Sequence, residues 1–235
     1  MDLEQFIEYC YDLGIELTEK QLDQFEKFYQ ILVEENKKMN LTGITEREDV
    51  YLKHFYDCLT ITESLDDITV KKLCDVGGGA GFPSVPIKIV YPNIEVTVVD
   101  SLEKRINFLR KVSNELELKK FKAVHARAED FVKEYRNYYD VVTARAVARL
   151  NILSELCLPL TKMQGYFIAL KGNTGNDEMN EAKKGISTLG GKHISTNNFT
   201  LPIEESSRSI IKIKKVKETP NKYPRNFGQI KKKPL

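Results

Sequence analysis

Tryptophan is missing from the 235 residues, cysteine is limited to four and histidine to three, and no long apolar run occurs. Each shortage excludes something. A helix that crosses a membrane needs roughly 20 consecutive, mostly apolar residues, so a helical membrane protein is excluded. Cys10, Cys58, Cys74 and Cys157 are scattered, with no close pair that makes half of a zinc site, so neither a structural metal nor a disulfide framework is expected. The start, Met1-Asp2-Leu3-Glu4, has no basic segment ahead of an apolar stretch. That predicts no secretory signal, and with it reduced thiols and a cytoplasmic location. Thirteen glycines and eight prolines are too few for a collagen-like or low-complexity chain.

What is present suits a folded domain. Hydrophobic residues make up 41% of the chain, and 11 Phe with 11 Tyr supply large apolar anchors. The length predicts one domain plus an extension. A chain of this size buries about 70% of its unfolded surface, enough for a core without staples.

The net charge of +2 hides two biased ends. Residues 1–35 carry ten acids and two bases, a balance of −8; residues 212–235 carry nine Lys/Arg against Glu218 alone, a balance of +8. A charge run is compatible with a solvated surface. It is equally compatible with a cationic arm that binds a polyanion, because neutralised phosphates release counterions. Tyr223, Arg225 and Phe227 in the same stretch add flat groups on which unpaired bases stack.

Periodicity divides the chain. Leu3, Phe6, Ile7 and Cys10 repeat at helical spacing up to Gly14. Thr18 with Gln21 forms a capping-box start for a second helix through Val33, and a third runs over about 48–64. From Leu73 short apolar runs alternate with helical patterns. Strands are expected at 72–76, 96–99, 122–125, 140–143, 166–170 and 209–213, and helices near 85–91, 102–116, 128–134, 152–158 and 177–188. This alternation predicts βαβ crossovers and a mostly parallel sheet with helices on both faces. The expected organisation is an N-terminal helical extension over residues 1–65, a Rossmann-like α/β core over 66–216 and a basic C-terminal tail over 217–235.

Asp75-Val76-Gly77-Gly78-Gly79-Ala80-Gly81-Phe82-Pro83 comes directly after the first predicted strand and opens a helix. Glycines there let the backbone turn sharply and approach a ligand; a tight turn with no ligand is the competing reading. A dinucleotide fingerprint starting at Gly77 requires Gly at position 82, which is Phe82, so a nicotinamide oxidoreductase is disfavoured. No Lys-Ser/Thr pair comes next, which disfavours triphosphate hydrolysis. The pattern present is acidic-x-Gly-x-Gly-x-Gly, through Asp75, Gly77, Gly79 and Gly81. Asp100 ends the second strand, where a carboxylate suits paired ribose hydroxyls. Together they fit a nucleoside cofactor without a long phosphate chain, and S-adenosylmethionine is the candidate.

The chain resembles the bacterial ribosomal RNA small-subunit methyltransferase G family, also called the glucose-inhibited division protein B family. The resemblance spans nearly the whole chain. It is carried by Met39-Asn40-Leu41-Thr42, His54 with Asp57, the glycine loop, Asp100-Ser101-Leu102-Glu103-Lys104-Arg105, Arg127-Ala128-Glu129, Ala144-Arg145-Ala146, Leu170-Lys171-Gly172, Tyr223-Pro224-Arg225 and Lys233-Pro234-Leu235. Two departures are visible: Ser84 stands where the family often has Gly, and Phe227-Gly228-Gln229-Ile230 lacks the Pro usual soon after that Gly. The resemblance implies the class I S-adenosylmethionine-dependent methyltransferase fold. It also implies methyl transfer to N7 of a guanine in 16S rRNA, with the rRNA or the small ribosomal subunit as partner. By the same carry-over Gly77 and Phe82 contact the cofactor, Ala128 and Glu129 border its adenine, and Arg145 lies at the methyl-donor end.

Guanine N7 has an available lone pair, so no general base is expected and catalysis is mainly orientation. Arg145 and Lys171 are candidates to hold phosphate or the guanine edge; an ion pair with a nearby carboxylate is the competing reading for both. Arg149, Asn40, His54, Arg225, Lys231, Lys232 and Lys233 complete the expected RNA contacts. A capping role for Asn40 and a structural role for His54 remain open alternatives. So do a protein or small-molecule acceptor and a non-catalytic RNA-binding assembly factor. A monomer is expected.

Overall fold

The computed structural model describes residues 1–65 and 69–235. The boundary expected between 65 and 66 therefore falls at the edge of residues outside those described. Helix α1 (Leu3–Asp12) begins at Asp2 and α2 (Glu19–Met39) at Thr18, each closed by a capping box with a glutamine three residues on. These reciprocal bonds satisfy amide groups that a helix start otherwise leaves bare. Asn40 ends α2 in the left-handed conformation, with φ 49°, so its capping role is at the end of one helix and not the start of the next.

The helix expected over 48–64 is broken into four pieces. They are α3 (Arg47–Val50), a π-helical segment (Tyr51–Tyr56), α4 (Asp57–Leu59) and a 3-10 turn (Thr60–Ser64). A π segment inserts extra backbone per turn and rotates the residues downstream of it, a departure often found at functional sites.

Among the described residues the sheet has seven strands: β1 (Lys72–Val76), β2 (Glu95–Asp100), β3 (Phe121–His125), β4 (Tyr139–Arg145), β5 (Thr161–Lys171), β6 (Gly191–Thr200) and β7 (Ser207–Lys215). Their order is β3-β2-β1-β4-β5-β7-β6. The pairings from β3 through β5 are parallel, while β7 runs antiparallel to β5 and β6. Helices α5 (Ser84–Val90), α6 (Glu103–Glu115), α7 (Ala128–Tyr135), α8 (Leu150–Cys157) and α9 (Gly175–Thr188) are the crossovers. The mostly parallel sheet and the helical front are thus as expected. Strand β6 is not: it is an edge strand with Lys192, His193, Asn197 and Asn198 exposed, and lacks the apolar alternation that marks a half-buried strand.

Successive strand residues point to opposite faces and build two cores. Leu73, Val98, Val141 and Ile168 join one with Phe6, Phe25, Phe28, Leu32 and Phe55, so the N-terminal helices cover one face of the sheet. Cys74, Val99, Val142 and Phe167 join the other with Leu153, Met179 and Ile230. Polar residues of α2 finish the docking. Gln21 donates to the Ile89 and Val90 carbonyls, and Gln24 to the Leu116 carbonyl, covering the open ends of α5 and α6.

The basic tail is also docked. A short helix, α10 (Phe227–Lys232), buries Ile230, and Leu235 packs on the other core.

Candidate active site

The parallel strands end together on one edge of the sheet, and the chain reverses its direction of winding between β1 and β4. Open α/β sheets gather ligands in the crevice at such a point. The glycine loop leaves β1 here. Gly77 has φ +73°, and a Cβ on it would come within 2.7 Å of Val147 on the loop after β4. Gly79, at φ +55°, differs: a Cβ there would find nothing nearer than 3.8 Å, so the loop forms an open cradle. Beneath it Asp75 is fully buried. Burial, opposed in part by the polar groups of nearby Ser84, pushes its carboxyl up to about 7, and neither carboxyl oxygen has a hydrogen-bond partner among the described residues.

A cavity of about 430 Å³ opens beside the loop, and Gly77, Asp100, Ala128 and Glu129 all line it. The structure thus brings together residues drawn from three successive strand ends. Asp100 is buried; its Oδ1 accepts from the Leu102 amide at 2.9 Å and its Oδ2 from the Gly79 amide at 3.1 Å. It therefore holds the cradle as well as facing the cavity. Arg105 also reaches Oδ2, at 3.4 Å.

Phe82 turns away towards the helical front. Its ring stacks on His54 with centroids 4.3 Å apart and packs on Phe28 and Phe55. His54 Nε2 lies 2.8 Å from Thr42 Oγ1, and burial brings its pKa down to about 3, so the ring is neutral. Thr42, His54, Gly79, Phe82 and Arg145 border a second cavity of about 200 Å³.

Arg145, at the end of β4, donates to the Lys53 carbonyl (2.7 Å), Cys58 Sγ (2.8 Å) and Asp57 Oδ2 (2.9 Å). Burial opposes its charge, but the Cys58 and Asp57 contacts raise its pKa above the ordinary value. Asp57 also receives Arg208 Nε, at 3.1 Å and 3.2 Å to its two oxygens. One buried carboxylate so ties two arginines together. Both arginines and Asp57 line a third cavity of about 470 Å³, which continues along the Arg145–Arg149 loop.

The other expected contacts sit differently. Lys171 borders this third cavity but is buried in an ion pair with Glu178 at 2.7 Å and donates to the Ala148 carbonyl. The carboxylate offered as its competing partner is thus Glu178, and the lysine fixes the β4–α8 loop. Arg149 also lines the cavity, exposed, with Glu181 at 2.6 Å. Asn40 is exposed, outside the residues lining the three cavities. Arg225 is drawn inward to the fully buried Glu155, 2.6 Å away. Lys215, among the cations of the basic run, is buried and donates to the Leu158 carbonyl at 2.6 Å; Lys231, Lys232 and Lys233 are exposed. Sequence reasoning missed Arg208 altogether and treated Asp57 only as part of a motif. Their meeting depends on the π segment and the antiparallel strand.

The family model for GidB, rRNA small subunit methyltransferase G, matches residues 21–211. The chain is 54% identical to the ribosomal RNA small subunit methyltransferase G of Lysinibacillus sphaericus over 237 aligned positions, covering 100% of each. It is 53% identical to that of Bacillus subtilis, covering 100% of this chain and 99% of the other. Among solved structures, P. horikoshii TYW2 in complex with MeSAdo superposes with a TM-score of 0.53 at 14% identity, over 67% of this chain and 62% of the other. A 16S rRNA (adenine(1408)-N(1))-methyltransferase from Catenulisporales acidiphilia gives 0.52 at 13% identity, over 63% and 86%. These two likenesses concern the fold, that of class I methyltransferases. By the family match and the full-length identity, the chain belongs to the rRNA small subunit methyltransferase G family.

Proposed function

We propose that the protein transfers a methyl group from S-adenosylmethionine to N7 of a guanine in 16S rRNA, within the small ribosomal subunit or its RNA. The observation that carries this reading is the set of three cavities meeting around Ala146, which borders all of them. The residues fit the cofactor: an open glycine cradle at Gly79, a carboxylate at the end of β2, and apolar side chains at Ala128 and Leu156 among the lining. When bound, S-adenosylmethionine supplies an electrophilic methyl group. Gly77, Gly79 and Asp100 hold its ribose and neighbouring atoms, Ala128 and Glu129 border its adenine, and Phe82 with Arg145 bounds the methionine side; Gly81, expected with them, lines none of the three cavities and instead lets the loop pack closely on Val85 and Leu109.

The third cavity receives the acceptor. N7 already presents its lone pair in the plane of the base, so the chain needs to align it and to exclude water. Neutral His54 and Phe82 wall the second cavity beside the third, on the methionine side. Arg145, locked by Asp57, orients what enters, and the exposed lysines of the tail contact phosphate. The comparison that tests this reading is mass mapping of 16S rRNA from cells with and without the protein. Loss of one N7-methylguanine is expected. An identical modification map would overturn the RNA acceptor.

A further inference from the structure

The basic tail offers a second contact with the site that its charge does not suggest. Phe227, the first residue of α10, lines the same cavity as Asp100, Ala128 and Glu129. It is partly buried against the second core. Its amide donates to Glu129 Oε1 at 3.3 Å, so the acidic residue expected beside the adenine is held by the tail's backbone.

The segment around it is fixed rather than draped. Arg225 makes three bonds to Glu155: from its amide (2.8 Å), from Nε (2.9 Å) and from Nη2 (2.6 Å). Arg136 donates to the Tyr223 and Thr219 carbonyls, and Asn226 caps α10 through the Gln229 amide at 3.0 Å. Ile230 is completely buried on the far side. These contacts bracket Phe227 on both sides and hold it at the cavity, whose lining also includes Gly77, Ala126, Ala128 and Ala146. An aromatic ring set against a nucleobase cavity presents a flat surface to a flat ligand. Stacking of that kind gives substantial affinity, whatever the base.

We infer that the C-terminal segment is a wall of the cofactor pocket and that Phe227 is a cofactor-binding residue, packed against the adenine. The inference rests on the cofactor reading above. It gives the tail a function at the nucleoside, separate from any phosphate contact made by its lysines.

The test is calorimetric titration of full-length protein with S-adenosylmethionine, S-adenosylhomocysteine and adenosine, with Tm recorded for every variant. Phe227→Ala should weaken all three by about tenfold or more, since each carries the adenine. Phe227→Leu retains apolar bulk and so keeps the tail docked, but removes the flat ring. It should weaken the same ligands about threefold to tenfold at unchanged Tm. If the alanine variant melts early, the leucine variant decides. Wild-type affinities in the leucine variant at normal Tm would overturn the assignment of Phe227 while leaving the cofactor reading intact. Failure of all three ligands to bind the wild-type protein would overturn the cofactor reading itself.

Discussion

Asp57 joins residues far apart in sequence: Arg145 is 88 positions away and Arg208 is 151. Removing a partner from such a buried cluster costs more than the pair contributes, because two guanidinium groups are left without their counter-charge. Asp57→Ala should therefore lower stability by about 3 kcal/mol, read from urea denaturation. Asp57→Asn, which keeps acceptor geometry and loses charge, should fall between the wild type and the alanine variant. Asp100→Ala should weaken S-adenosylmethionine binding by about 1.5–3 kcal/mol in calorimetry, the usual worth of hydrogen bonds to a charged group. Because Asp100 also receives the Gly79 amide, part of that loss will come from a loosened cradle. An unchanged affinity would remove Asp100 from the site. At this scale the sequence was informative wherever chemistry is local. The glycine loop and Asp100 stand out in the sequence because a strand end and the loop after it are local patterns, whereas Ala128 and Glu129 are expected only from the family resemblance. The partners of Arg145 and Lys171 were not, since an ion pair depends on elements brought together only by folding.

Among the elements, the glycine loop and the strand beneath it have a pH dependence that can be isolated. Asp75 has a folded pKa of about 7 against an ordinary value of 3.8. The folded chain then keeps a proton that the unfolded chain releases, so its stabilising contribution is full below about pH 4 and is lost as pH rises through about 7. Asp75→Asn removes this term. Its Tm relative to wild type should rise steadily from about pH 4 to about pH 8. A constant difference across that window would show that Asp75 is ionised in the folded state. His54, buried and held down to about 3, contributes the opposite slope below its ordinary value of 6.5 and is common to both proteins, so it cancels in the comparison. The helices and parallel strands were readable from capping residues and apolar spacing. The π segment at Tyr51–Tyr56 was not, because its residues carry an ordinary helical pattern. Strand β6 escaped for another reason: an exposed edge strand has no buried face to impose a period of two.

Across the whole molecule, the charge asymmetry proves a poor guide to architecture. The cationic end is partly interior, with Lys215 and Arg225 committed to internal partners, and the final residue packs where a side chain on Gly185 would collide with it at 2.8 Å. Deleting Lys231–Leu235 should therefore have two effects. Loss of Leu235 packing should lower the Tm by a few degrees. If all three lysines meet phosphate, the slope of log K for RNA against log salt should flatten by about 2–3 units. A lower Tm with an unchanged slope would assign the segment to packing alone.

The most direct test of the central claim is methyl transfer by the purified protein. Small ribosomal subunits or 16S rRNA lacking the modification would be incubated with methyl-labelled S-adenosylmethionine, and the labelled nucleotide identified. Label is predicted at N7 of a single guanine, reduced strongly by Asp100→Ala at limiting cofactor. Label on another atom or base, or no label in either RNA while the cofactor binds, would contradict the account.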